Sequence, residues 1–397
     1  MMVHKEKKNM IALLVGKWTS KIGNVVFDYV NNIVLVSLNS KTSMLVAIYQ
    51  SSETIIQVAV NILAGVFADK INKKKLVLIS TDFISGLICF LLSFFLHDKF
   101  TAYIIIFANC LLALVETINS PLYKTIVRET VRKENISKLN SIANAGYEGL
   151  ALIGPIVGIF LVKFLDVRFC LVFNGITFII SALIESLIVI DSNCEDKQLN
   201  ENVWNGIKKG IRYLYSDKKL LITILCAGCI NFFIAGSNIF IPYSNLIWNN
   251  KMNNLYATIL VMQGVSAILG SLISVYLSRF FQLHKKIILF LPFFIGFSYL
   301  LIPVMANISV GFLFILPFSF AGFFMTIYNI QYMSYIQENV ALEYIGRVFG
   351  VIKTFSLILV PIGAFIFSHF FGINGQIGFP FAGLGIVIIS ILGLIRK

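Results

Sequence analysis

Six carboxylates, Asp28, Glu53, Asp82, Glu116, Glu148 and Glu185, fall inside long apolar stretches of this sequence. A charged side chain at the middle of a bilayer costs on the order of 3 kcal/mol on insertion scales, so such groups mark sites that handle a proton, an ion or a polar ligand. All six lie in the first half, whereas Glu338 and Glu343 in the second half stand in a polar connection. Proton or cation chemistry is therefore expected in the first half. Lys17, Lys21, Asn24, Asp28 and Asn31 follow steps of four, three, four and three, which on a helix is one stripe. Gln50, Glu53, Gln57 and Asn61 make a second stripe, and a rise of about 1.5 Å per residue brings Asp28 and Glu53 to similar depth. A carboxyl group in a dry cavity can hold a proton and release it when the cavity opens to another pH. Glu53, with no base in its own stretch, is the expected proton carrier, and Glu116, with Asn119 one turn on, is a second. Asp28 is a third candidate; near Lys21 it is also the expected partner of a cationic or polar ligand or of Lys21 itself. Glu148 and Glu185 are further candidates, and Lys17 is close enough to the boundary to snorkel.

The elements that hold these groups follow from composition. With 397 residues, 58% of them hydrophobic, 13% charged and a mean hydropathy of +0.86, the chain has more apolar surface than a water-soluble fold can hide. Crossing about 30 Å of hydrocarbon takes about 20 apolar residues. Twelve such stretches are expected, at roughly 10–37, 43–68, 76–96, 101–122, 138–163, 168–191, 220–247, 254–278, 286–305, 309–332, 346–370 and 375–395. The net charge of +13 needs no nucleic acid to explain it, because the lysines and arginines alternate by loop: 25 fall on the side of the N-terminus, five on the other, and Lys17 and Lys21 within the first span. That asymmetry predicts cytoplasmic termini; the expected location is the plasma membrane. Cys226-x-x-Cys229 has metal-ligand spacing but no further Cys or His beside it, and the histidines at 4, 97, 284 and 369 are scattered. No metal, no cofactor and no catalytic constellation are expected. The lysines before the first apolar stretch do not make it a cleaved leader, since it is long, polar in its middle and without a small-residue cleavage site.

The longest polar stretch, 192–219, divides the chain into a six-helix half at 1–191 and another at 220–397. Within it Trp204, Ile207, Ile211 and Leu214 recur at helical spacing while Lys208, Lys209 and Arg212 take other faces, the pattern of a helix lying on an anionic leaflet. The halves echo each other: Glu129-Thr-Val131 leads to Pro155, and Glu338-Asn-Val340 leads to Pro361, at offsets of 209 and 206. A weaker echo pairs the loop from Gly65 to Lys75 with Gly270 to Lys286.

One segment carries a resemblance. Residues 65 to 75, Gly-Val-Phe-Ala-Asp-Lys-Ile-Asn-Lys-Lys-Lys, put Gly65, Asp69, Lys70 and Lys73 to Lys75 between two apolar runs. The pattern resembles motif A of the major facilitator superfamily. Gly346-Arg-Val-Phe-Gly350 with Pro361, and Gly16, Ser20 and Gly23, are similar to the macrolide-efflux-type branch of the drug:proton antiporters. Gly154-Pro155-x-x-Gly158 resembles the end of the antiporter motif, with Leu150 and Ile159 standing where that motif has glycines, and the fourth helix lacks the arginine that other drug antiporters carry. The resemblance implies an all-α integral membrane protein of twelve transmembrane helices in two six-helix pseudo-repeats, with the substrate near the midplane between the halves. It also implies a cytoplasmic gate at Gly65, Asp69, Lys73, Asp82, Gly346 and Arg347, in which Asp69 meets the positive N-terminal end of the eleventh helix.

The expected substrate cavity takes Lys21, Asn24, Asp28, Asn31, Gln50 and Gln57 from the first half. An aromatic wall from Phe232, Phe233, Phe240 and Tyr243, and from Phe320, Phe323, Phe324 and Tyr328, completes it, with Phe233, Tyr243, Phe324 and Tyr328 as contacts. The expected function is export of an amphiphilic small molecule by proton-coupled alternating access, by a monomer whose partners are its substrate, protons and the lipid bilayer. An anionic amphiphile, a lysolipid or siderophore, is the alternative suggested by Lys17, Lys21 and Lys353. A non-transporting membrane partner or sensor on the same scaffold is the third reading.

Overall fold

The computed structural model describes residues 2–39, 41, 43–71, 73–96, 100–164, 167–189, 212, 215, 217–248, 254–276, 287–307, 311–339 and 345–395. Within these the regular structure is helical: α1 (Met2–Leu38), α2 (Met44–Lys70), α3 (Lys74–Phe94), α4 (Thr101–Thr130), α5 (Lys133–Phe164), α6 (Val167–Ser186), α7 (Lys218–Asn238), α8 (Ser244–Ile247), α9 (Leu255–Tyr276), α10 (Ile287–Ala306), α11 (Gly311–Asn339), α12 (Ile345–Phe371) and α13 (Gly375–Ile395). Backbone groups in hydrocarbon must pair within their own segment, and the helix does this. Eight helices, α3, α4, α6, α7, α9, α10, α11 and α13, hold a stretch long and apolar enough to cross a membrane. The remaining long helices, α1, α2, α5 and α12, also follow the expected stretches, and α1 carries Lys17, Lys21 and Asp28 along its length. The chain is a multi-pass membrane protein. The expected stretch 220–247 divides, because α7 stops at Asn238 and Pro242, which has no N–H to donate, lies in the turns before α8.

Local chemistry sets several ends. Asp217 accepts the Leu220 amide at 3.1 Å and caps α7. Gly372, at φ 57°, ends α12 and returns its N–H to the Ser368 carbonyl at 3.0 Å, a left-handed turn that a side chain would strain.

The helices gather in two compact units, Met1–Leu35 with Ile56–Asn200, and Val36–Ile55 with Glu201–Lys397. In the first, α3 packs on α6 and α4. Gly146, Gly154 and Gly158 of α5 lie against Trp18, Val25 and Tyr29 of α1, where any side chain would overlap them. Leu13, Leu78, Leu122, Ile126, Leu139 and Ile188 form the dry centre of one core cluster. In the second unit, α10 packs on α13 and α11, α9 on α11, and α7 on α12 and α13. Its core is aromatic: Phe379 contacts Phe240, Trp248, Tyr299 and Phe318, and Phe367 contacts Phe232, Phe233 and Phe240. Residues 36–55 belong to this unit through specific bonds. Tyr243 Oη donates to the Asn39 carbonyl at 3.3 Å, and Ser43 Oγ reaches Ser368 Oγ at 3.0 Å.

Candidate functional site

Lys17 points inward from α1. Its Nζ donates to Glu116 Oε1 at 2.8 Å and to Asn119 Oδ1 at 3.3 Å, both on α4, and it lies 5.8 Å from the centre of the Tyr123 ring. Lys17 therefore does not snorkel; its side chain is 17% exposed against 37% for Glu116. Asn119 is fully occupied, since its Nδ2 donates to Thr81 Oγ1 at 3.0 Å and to Asp82 Oδ1 at 2.9 Å on α3. One amide thus joins the Lys17 ammonium to the Asp82 carboxyl. The spacing explains the pairing, because residues 116 and 119 share a face one turn apart.

α6 closes the site. Ser181 donates to the Gly16 carbonyl at 2.9 Å and reaches Asp82. Glu185, one turn on, lies against Gly16, where a Cβ would stand 3.1 Å from its Cγ. The glycine before Lys17 is what lets α6 come this near. Asp82, Asn119 and Glu185 are buried, at 4%, 1% and 1% exposure, and Glu185 Oε2 has no hydrogen-bond partner among the described residues. One ammonium thus stands among three carboxyl groups, two of them, Asp82 and Glu185, buried and the third, Glu116, partly exposed. Such a site can hold one or two protons and can trade the partner of its single cation.

The structure brings together only part of the expected set. Glu116 lies in this site, and so does Asp82, which the sequence assigns to the gate. Lys21 is exposed and makes no ion pair with Asp28 among the described residues. Asn24, Asp28, Gln50 and Gln57 are half-buried, Asn31 is buried and Glu53 is exposed. Of these, Asp28, Asn31, Gln50, Glu53 and Gln57 have interaction partners. Among the aromatic residues, Tyr243 is fully buried, Phe233 packs edge-on to Phe232 at 5.1 Å, Phe324 stacks on Phe294 at 4.6 Å, and Tyr328 stacks on Tyr332 at 5.6 Å. Lys73 is exposed at the start of α3; the side chains of Gly65, Asp69, Glu148, Gly346 and Arg347, and Trp204, Ile207, Ile211 and Leu214 of the polar stretch, lie outside the described residues. Lys17, Asp82, Ser181 and Glu185 are what sequence reading alone does not assemble. The signal that could have found them is depth, because Lys17, Asp82, Glu116 and Glu185 all lie in the halves of α1, α3, α4 and α6 that share one side of the unit.

Similarity to known proteins agrees with this architecture. Two solved structures of the nucleoside transporter NupG, one of them a point mutant, superpose with a TM-score of 0.72 at 14% identity. Each alignment covers 98% of this chain and 98% or 99% of the other. At that identity the likeness speaks for the fold. No curated protein sequence matches significantly. The sequence model of the Major Facilitator Superfamily matches residues 18–364, from the helix that carries Lys17 to the one that carries Pro361, and the chain belongs to that superfamily: it is a membrane transporter and not an enzyme.

Proposed function

We propose that this transporter exports an amphiphilic small molecule by proton-coupled alternating access, as in the macrolide-efflux-type branch of the drug:proton antiporters. The observation that carries the reading is the set of three carboxyl groups around Lys17, of which Asp82 and Glu185 are buried, with Glu185 Oε2 left without a partner among the described residues. A proton entering this site removes a negative charge and leaves Lys17 with Glu116; its departure draws the ammonium toward Asp82 and Glu185. Each inward proton contributes about 2.3 kcal/mol per 100 mV of membrane potential. Glu116, Asp82 and Glu185 are the proposed protonation groups of this site, with Glu53 and Asp28 as further carriers. Lys21, Asn24, Asp28, Asn31, Gln50 and Gln57, with Phe233, Tyr243, Phe324 and Tyr328, are the proposed cargo contacts.

The proposal includes twelve spans in two six-helix repeats, 1–191 and 220–397, joined by the 192–219 linker, in a monomer with both termini in the cytoplasm of a plasma membrane. Helix pairing supports the repeat. The contacts of α3 with α6 and α4 have counterparts in those of α10 with α13 and α11, the equivalent positions six long helices on. The gate is proposed to join Asp69 to the start of α12 near Gly346 and Arg347.

Reconstituted vesicles with an imposed pH gradient test the reading against a panel of a macrolide, a cationic dye, a lysolipid, an iron chelator and a nucleoside. Uphill movement of the macrolide or dye that stops when a proton carrier collapses the gradient is expected. Movement indifferent to the gradient would remove proton coupling, and movement of lysolipid or chelator alone would favour the anionic cargo. Binding without movement of any of them would favour a non-transporting partner or sensor.

A further inference from the structure

A second site lies at the end of the first unit where α3 begins and α6 ends. Lys8 of α1, Lys73 at the N-cap of α3, and Lys74 and Lys75 of α3 line a cavity of about 1070 Å³. Its other walls are apolar or hydroxylic: Leu76, Ile79 and Ser80 of α3, Ser186 at the end of α6, and Leu187 and Val189 beyond it. Among the described residues no acid lines it, and of its four lysines Lys74 alone has a carboxylate partner there, Glu129 of α4 at 2.6 Å. The cationic groups therefore act together on whatever enters. Leu76 and Leu187 turn outward, at 59% and 53% exposure, and both α3 and α6 hold a stretch long and apolar enough to cross a membrane. The cavity is thus charged at its head and apolar along its side, and it lies where one such stretch begins and another ends. The backbone adds to this, since Lys73 at the N-cap of α3 lines the cavity and makes no side-chain capping bond, so the positive end of the helix lies beside it.

We infer that this cavity binds the head group of an anionic phospholipid, with phosphate oxygens on Lys8, Lys73 and Lys75 and acyl chains along Leu76 and Leu187. A basic pocket between spanning helices at a membrane surface selects such lipids by charge, and the apolar rim separates a lipid from a free ion. The lipid would tie the start of α3 to the end of α6, which carry Asp82 and Glu185. The site stands independently of cargo and coupling ion.

Purified full-length protein in detergent, examined by native mass spectrometry after exchange into phosphatidylglycerol or phosphatidylcholine, tests it. Wild-type protein is expected to retain phosphatidylglycerol at least fivefold over phosphatidylcholine. K8Q, K73Q and K75Q combined should remove that preference, and Arg at the same three positions should restore it, which separates lost charge from lost folding. Equal retention of the two lipids, or unchanged preference in the Gln variant, would overturn the inference. So would displacement of the lipid by millimolar inorganic phosphate, which would identify a phosphate-ion site.

Discussion

Lys17 and Glu116 are 99 positions apart in the chain and 2.8 Å apart in the fold, and the Asn119 amide extends their pair to Asp82. A helix that crosses a membrane with a lysine inside needs a partner at the same depth, and α4 supplies two acceptors on one face. Removing one member leaves its partner's charge with poor solvation, whereas removing both leaves an apolar contact beside Asp82 and Glu185, which can be carried as neutral acids. Lys17→Met or Glu116→Met alone is expected to destabilise the protein by about 2 kcal/mol, a value reduced from fully buried pairs because Glu116 is partly exposed. The double variant should recover most of the lost thermal stability in detergent. A double variant less stable than either single one would show that the two residues act separately.

Glu185 gives the sharper functional test because its carboxyl is buried and its Oε2 has no partner. Glu185→Gln keeps the shape and removes the ability to release a proton. Uphill export driven by a pH gradient is expected to fall at least tenfold in vesicles, with exchange of labelled for unlabelled substrate retained. Asp82→Asn should act in the same direction. Glu53→Gln, at an exposed position on α2, is the control that ranks the two regions. If it abolishes gradient-driven export while Glu185→Gln leaves it intact, the proton travels through α2 instead.

Helix positions and the lopsided distribution of acids were legible from the sequence because both are one-dimensional. Apolar length is set by bilayer thickness, and Asp28, Glu116 and Glu185 stand out against apolar neighbours wherever the helices go. The partner of Lys17 was not legible, because helical periodicity gives a face without saying which helix that face meets. Asp82 shows the same limit: its position after Lys73 to Lys75 suggests the gate, and only the packing of α3 on α4 and α6 brings it to Asn119 and Ser181. Phe233 and Tyr243 show a converse limit. Aromatic side chains read alike whether they line a cavity or fill a core, and these two pack against other rings and backbone.

The glycines of α5 make a steric prediction. Gly154 and Gly158 sit against Val25 and Tyr29, with no room for a side chain. Gly154→Leu or Gly158→Leu should push α5 off α1 and cost about 1–3 kcal/mol by overpacking, read as a lower melting temperature. Tyr29→Ala should partly rescue Gly158→Leu, since it clears the colliding ring, and should leave Gly154→Leu unrescued. Equal rescue of both would mean that the loss does not arise from these contacts.

Glu6 makes a pH prediction outside the membrane-spanning segments. Its carboxylate accepts Asn135 Nδ2 at 2.8 Å, the Arg132 amide at 3.0 Å and Arg132 Nε at 2.6 Å, so it ties α1 to the junction of α4 and α5. The Asn135 bond first, then the Arg132 amide and guanidinium, hold this carboxyl down from its ordinary 4.5 to about 2. A group whose pKa is lower in the folded state than in the unfolded one adds stability above the unfolded value and loses it as pH falls through the folded one. Wild-type protein is therefore expected to lose thermal stability progressively between about pH 4.5 and about pH 2 through this residue. Glu6→Gln should melt at a lower temperature at neutral pH and show a shallower decline across that window, the two curves converging at its acid end. Parallel curves for the two proteins, measured in one detergent at one ionic strength, would place the acid sensitivity elsewhere in the chain.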